Sequence, residues 1–115
     1  FAQNVLIERR LELLGILADG DLIQHDSEIP DGSAALRASL ETLLPDGTLR
    51  IAYQRLHRVL AEGNFVLCMS EGSKDGLRSG LYDLFRVADG KIAEHWNTVS
   101  PIAPLSEWKN ENGKF

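Results

Sequence analysis

The pattern of apolar and polar positions changes period once, near residue 47. Upstream of that point, Asn4, Glu8, Glu12, Gly15 and Asp19 mark a polar stripe at helical spacing. Val, Leu and Ile fill most of the remaining positions, which predicts a helix over 4–18 covered on most sides by other elements. Ala18-Asp19-Gly20-Asp21 is expected to end it. Residues 22–25 read as a short extended piece, and residues 26–32, with Pro30 and Asp31-Gly32, as a loop. Ser33 is a candidate N-cap for a second helix, in which Leu36, Leu40, Leu43 and Leu44 recur at i, i+4, i+7 and i+8 until Pro45-Asp46-Gly47 stops it.

Downstream the period is two. Segments 48–61, 65–73, 79–88 and 91–100 read as four strands joined by Glu62-Gly63-Asn64, Lys74-Asp75-Gly76 and Asp89-Gly90. Connections this short make sequential strands antiparallel neighbours. Helices followed by a meander predict an α+β fold, a curved antiparallel sheet with helices packed on one face, in a single domain over 1–115. Val66 and Cys68 oppose Phe65, Leu67 and Met69, so this strand is apolar on both faces. The sheet's second face then needs a cover, and a homodimer through that face is the economical expectation. Trp108 and Phe115 mark the polar tail as an anchor over an opening or a partner.

The last hairpin holds the candidate chemistry. Leu81, Phe85 and Val87 alternate onto one face, and Asp83 fills the gap in that apolar row. A buried carboxylate costs several kcal/mol unless it is paired, hydrogen-bonded or protonated. Asp83 is therefore either a structural group tied to a neighbouring strand or to Arg86, or an acid–base group in a pocket lined by Leu81, Phe85 and Trp96. A two-residue Asp89-Gly90 turn pairs Val87 with Ile92 and puts Asp83 opposite Trp96; a three-residue turn with a glycine bulge puts it opposite His95. The first is preferred because it matches apolar Val87 with apolar Ile92. His25, at the start of the loop before the second helix, is placed to lean over the mouth of the sheet. His57, among Arg55, Leu56 and Arg58, reads as a structural, partly exposed strand residue.

Charge and cysteine content narrow the partners. A net charge of −5 without concentrated Lys and Arg argues against nucleic acid or an anionic membrane surface. The single cysteine, Cys68, excludes an internal disulfide and leaves no cysteine cluster for zinc. The three histidines fit no zinc spacing such as His-Glu-x-x-His, so no metal is expected. No apolar run reaches the ~20 residues of a membrane span, which makes a cytoplasmic setting the expectation. There is no nucleophile elbow, Gly-x-Gly-x-x-Gly or phosphate loop.

Four blocks carry a resemblance: Leu22-Ile23-Gln24-His25-Asp26, Pro30-Asp31-Gly32, residues 59–64, and above all residues 82–97, Tyr-Asp-Leu-Phe-Arg-Val-Ala-Asp-Gly-Lys-Ile-Ala-Glu-His-Trp-Asn. From about Leu17 to Pro101 the chain resembles the SnoaL-like proteins of the nuclear transport factor 2-like superfamily, a branch that includes polyketide-cyclase and aldol-condensation types. The resemblance implies a cone-shaped sheet around a deep apolar pocket, commonly in a homodimer. It also implies acid–base chemistry on a hydrophobic carbonyl compound without metal or organic cofactor. Asp83 and His25 become the candidate catalytic residues, and Gln24, His95, Trp96, Leu81 and Phe85 the candidate substrate contacts. The alternative is a non-catalytic module of the same fold that binds a hydrophobic ligand or dimerises. The chain departs from the branch in having Asn97 where Asp is usual, Asp26 where Asn is usual, and Ser100 where many cyclases carry a carboxylate near the end of the last strand.

Overall fold

A computed structural model describes residues 1–115. Five strands, β1 (Ala18–Gln24), β2 (Ile51–Glu62), β3 (Phe65–Lys74), β4 (Leu77–Ala88) and β5 (Lys91–Pro101), form one open sheet in the order β1-β5-β4-β3-β2. The α+β class holds, with β2 to β5 as the expected antiparallel meander. Residues 22–24 turn out to be the end of a longer strand, β1, which pairs parallel with β5 and makes the sheet mixed.

The helix expected over 4–18 is broken. Its place is taken by a π-type turn (Ala2–Ile7), a 3-10 turn (Leu11–Leu13) and one α turn, α1 (Leu14–Leu17). Arg9 adopts φ 59°, a left-handed conformation that a continuing right-handed helix excludes. The break lets Ala2, Val5 and Leu6 and, after the turn, Leu11 and Leu14 all reach the same core. The second helix, α2 (Ser33–Glu41), buries Leu36 and Leu40 but ends before Leu43, which is left 58% exposed. Gly32 precedes it at φ 99°, and a Cβ there would stand 2.9 Å from the Gly20 carbonyl oxygen. These segments pack on the concave face against Cys68, Phe85 and Ile92.

Two bulges bend β2. Gln54 and His57 are the extra residues where the pairing with β3 shifts register. Each resets the side-chain alternation, so Ile51, Tyr53, Leu56 and Val59 can all belong to the concave side although their spacing is not even. Gly72 is paired with Tyr53, and a Cβ there would fall 1.8 Å from the Ala52 carbonyl oxygen. Only glycine permits that approach.

On the convex face the tail returns across the sheet. Phe115 stacks on His57 with ring centroids 4.0 Å apart, and the Tyr82 hydroxyl donates to the Lys114 carbonyl at 3.2 Å. Trp108 donates its indole N–H to the Ala103 carbonyl oxygen at 2.8 Å. The tail thus covers part of the face that the sequence left bare. No helix is long and apolar enough to cross a membrane.

Candidate functional site

The hairpin turn forms as expected over Asp89 and Gly90, with φ of 53° and 75°, and it pairs Val87 with Ile92. A bulge at Ala93 then shifts the register, so that Arg86 pairs with Glu94, Phe85 with His95 and Asp83 with Asn97. This corrects the preferred expectation: Trp96 pairs with Leu84 on the convex side, and His95 shares the concave face with Asp83. The turn itself is the two-residue kind; the extra residue lies three positions further on.

Asp83 is 1% exposed. His95 Nε2 lies 2.7 Å from its Oδ1, and the Tyr53 hydroxyl donates to its Oδ2 at 2.9 Å. The other ring nitrogen, Nδ1, lies 2.8 Å from Gln24 Oε1. A chain of four polar side chains, Tyr53, Asp83, His95 and Gln24, therefore runs beside the apolar core cluster. Arg86 does not join it, because its guanidinium is taken by Glu94 at 2.8 Å. Burial, and then the charge of Asp83, push the Tyr53 phenol well above its ordinary pKa, so it stays a donor. Burial and the same charge push the Cys68 thiol up to about 11.

His25 is not part of this group. It stands 42% exposed on the convex side, where its Nε2 meets Glu94 Oε2 at 2.6 Å and its ring stacks on Trp96 at 4.6 Å. The hydrogen bond to His25, then that to Arg86, hold Glu94 below the ordinary carboxylate range. The expectation that His25 and Trp96 lie together with Asp83 in one pocket is thus replaced by a surface cluster on the other side of the sheet. Leu81 is buried at 1% but lines neither cavity of the concave side; it packs over Gly72.

Phe85 does line both cavities. On one side of it lies an apolar hollow of about 450 Å³, bounded by Leu56, Val59, Val66, Cys68 and Ile92. On the other side is a niche of about 20 Å³, room for one water, to which Ser39, Tyr53, Asp83, His95 and Asn97 contribute. Phe1 packs edge-on against Phe85 at 5.3 Å and belongs to both walls, so this aromatic pair separates the hollow from the carboxylate. A cavity of several hundred Å³ exists, but it stops short of Asp83.

Tyr53 and Ser39 were not singled out in the sequence, and Asp26 was marked only as a departure from the SnoaL-like branch. Tyr53 carried no local signal, because only the β2–β3–β4 register brings its hydroxyl to a carboxylate 30 residues away. Ser39 brings a hydroxyl oxygen that is buried without a partner. Asp26 accepts from Asn97 Nδ2 at 2.9 Å and from the Glu28 backbone N–H at 2.9 Å. Burial works to raise its pKa, but those two hydrogen bonds and the charges of Lys74 and His95 outweigh it and hold the carboxyl below its ordinary value. No three His, Cys, Asp or Glu side chains converge as a metal site would require.

A curled, open sheet with helical segments and a polar group on its concave face defines the nuclear transport factor 2-like fold, and solved structures agree. The chain is similar to a candidate ketosteroid isomerase from Kribbella flavida, at 18% identity over 99% of this chain and 85% of that one, with a TM-score of 0.72. It is also similar to a nuclear transport factor 2-like protein of unknown function from Burkholderia xenovorans, at 19% identity, 96% and 88% coverage and a TM-score of 0.68. A third is IdmH, a candidate polyketide cyclase from Streptomyces antibioticus, at 19% identity, 85% and 86% coverage and a TM-score of 0.58. No protein-family model and no curated protein matches the sequence.

Proposed function

We propose that the chain is a small enzyme performing acid–base chemistry of aldol, cyclase or isomerase type on a hydrophobic carbonyl compound. The observation that carries this reading is Asp83, buried to 1%, bound by His95 and Tyr53 and separated by one aromatic pair from an apolar hollow. Burying Asp83 and His95, with Tyr53 and Gln24 half-buried beside them, costs stability that an apolar core would not, which points to a chemical reason for keeping them. In this reading the Asp83 carboxylate takes the proton α to the carbonyl and returns it to the product carbon. The unpartnered Ser39 hydroxyl, in the same niche, is the donor left for the developing enolate oxygen. Phe1 and Phe85 must swing apart for the carbonyl end to reach Asp83 while the apolar body rests in the hollow. Side chains supply every proton transfer, so the chemistry needs no cofactor. The solved structures named as isomerase and cyclase lend support, as does the sequence resemblance to SnoaL-like proteins.

One observation favours the second reading, a binding module without catalysis: the niche at Asp83 is closed to anything larger than a water. Exchange of α protons for deuterium separates the two without knowledge of the natural substrate. A panel of apolar enolisable ketones is incubated with protein in D2O and followed by NMR. The enzyme reading expects catalysed exchange that Asp83→Asn abolishes while the variant still binds the ketone. Binding without exchange above buffer in the wild type would establish the binding module instead.

The homodimer belongs to the same proposal. Leu60, Leu67, Leu84 and Trp96 pair one to the next across β2, β3, β4 and β5, forming one row on the convex face beside a shallow apolar hollow of about 460 Å³.

A further inference from the structure

We infer that Gln24 is a positioning residue: it fixes the ring of His95 so that the Asp83–His95 pair holds one transferable proton on the line between Oδ1 and Nε2. The reasoning begins at Asp26, whose backbone N–H lies 3.1 Å from Gln24 Oε1. A backbone amide only donates, so the side-chain atom it meets is the amide oxygen and not the nitrogen. The same oxygen lies 2.8 Å from His95 Nδ1. An amide oxygen only accepts, so Nδ1 carries a hydrogen. Nε2 then faces Asp83 Oδ1 at 2.7 Å, and two lone pairs cannot face each other at that separation. One proton must lie between them, written either as imidazolium with carboxylate or as neutral ring with carboxylic acid. Asp83 Oδ2 is occupied by the Tyr53 hydroxyl, a second donor that steadies the carboxylate.

Gln24 is itself held from three directions. It pairs with His95 in the parallel β1–β5 ladder, its backbone N–H donates to Asp31 Oδ1 at 2.8 Å, and the Asp26 amide reaches its oxygen. Asp26 is in turn tied to β5 through Asn97. The Gln24 amide nitrogen is buried with no partner, so only the oxygen end of this side chain is used inside the protein. An acceptor without an idle buried donor would fit the fold better. What the amide provides is a neutral acceptor that forces the ring nitrogen facing away from Asp83 to stay protonated, and so keeps that nitrogen out of the exchange. Without it the ring is free to take the other tautomer, in which Nε2 is a permanent donor and has no lone pair to receive a proton from Asp83.

This inference rests on the acid–base reading for its purpose but not for its test. Long-range 1H–15N correlation of the His95 ring at neutral pH should show a protonated Nδ1 in the wild type. Gln24→Met, of similar length but with no acceptor, should lose that signature. Gln24→Glu, which retains an acceptor, should keep it. In the ketone exchange assay, Gln24→Met should lower the turnover rate tenfold or more with ketone affinity unchanged, and Gln24→Glu should recover most of the loss. An unprotonated Nδ1 in the wild type overturns the inference, and that spectrum decides even if Gln24→Met does not fold. Absence of exchange in the wild type would instead sink the enzyme reading, with the ring signals still deciding the part played by Gln24.

Discussion

Asp26 and Asn97 are two of the three positions at which this chain departs from the SnoaL-like branch it resembles, and they are hydrogen-bonded to each other at 2.9 Å. Two departures that looked separate in the sequence, 71 residues apart, are one donor and one acceptor with their places swapped. The pair holds the loop after β1 against β5 and so sets the Asp26 amide on Gln24. Asn97→Asp alone turns two partly buried carboxyl groups toward each other and should cost about 2 kcal/mol. Adding Asp26→Asn restores a donor for the new carboxylate while its amide oxygen still receives the Glu28 N–H, so most of that loss should be recovered. Urea denaturation of the two singles and the double decides it; additive losses would show that the pair is not coupled.

At the level of elements, curvature and site are the same feature. The bulges at Gln54 and His57 bend β2 and bring Leu56 and Val59 to the concave side that Ile51 and Tyr53 already face, and the bulge at Ala93 gives His95 its inward face. Gly72 completes the arrangement by letting the Ala52 carbonyl pass where a Cβ would stand. Gly72→Ala should therefore destabilise by about 3 kcal/mol or more, since the contact is with backbone and cannot be relieved by a side-chain rotation. It should also move Tyr53 away from Asp83. The checks are a thermal melt and the ultraviolet titration of Tyr53, whose phenol should ionise at lower pH once Asp83 and its burial are lost. An unchanged melt would mean that β2 and β3 separate there at little cost.

For the whole molecule, the proposed dimer is a question of the convex face. The tail with Phe115 covers the His57 end of the sheet, whereas the row from Leu60 to Trp96 lies toward the opposite end, where Leu60 is 58% and Phe65 39% exposed. Two copies meeting through this row would cover those side chains, and the tail would limit how far the contact extends. Sedimentation at micromolar concentration should give twice the chain mass of 12.7 kDa, and Leu60→Glu should shift it to the single-chain value with little change in secondary structure. A monomeric wild type would remove the dimer from the proposal and leave the concave site as it is.

The four-strand meander, its three tight turns, the α+β class and the placing of a carboxylate in an apolar row were all determined by local sequence. Each depends on periodicity and turn chemistry within about ten residues, and Asp83, Asp89-Gly90 and the Leu36–Leu40 stripe are legible in that way. What surrounds Asp83 was not. Tyr53, His95 and Gln24 reach the site across 30, 12 and 71 residues, the last figure being the separation of Gln24 from His95. Gln24 arrives through a parallel β1–β5 pairing that no local pattern encodes, and Tyr53 and His95 through the exact register of the meander. Side-chain alternation fixes facing only while the register is unbroken, and a single extra residue at Ala93 reverses every position beyond it. That one residue exchanged Trp96 for His95 on the concave face, and only the packing of the folded sheet could decide it.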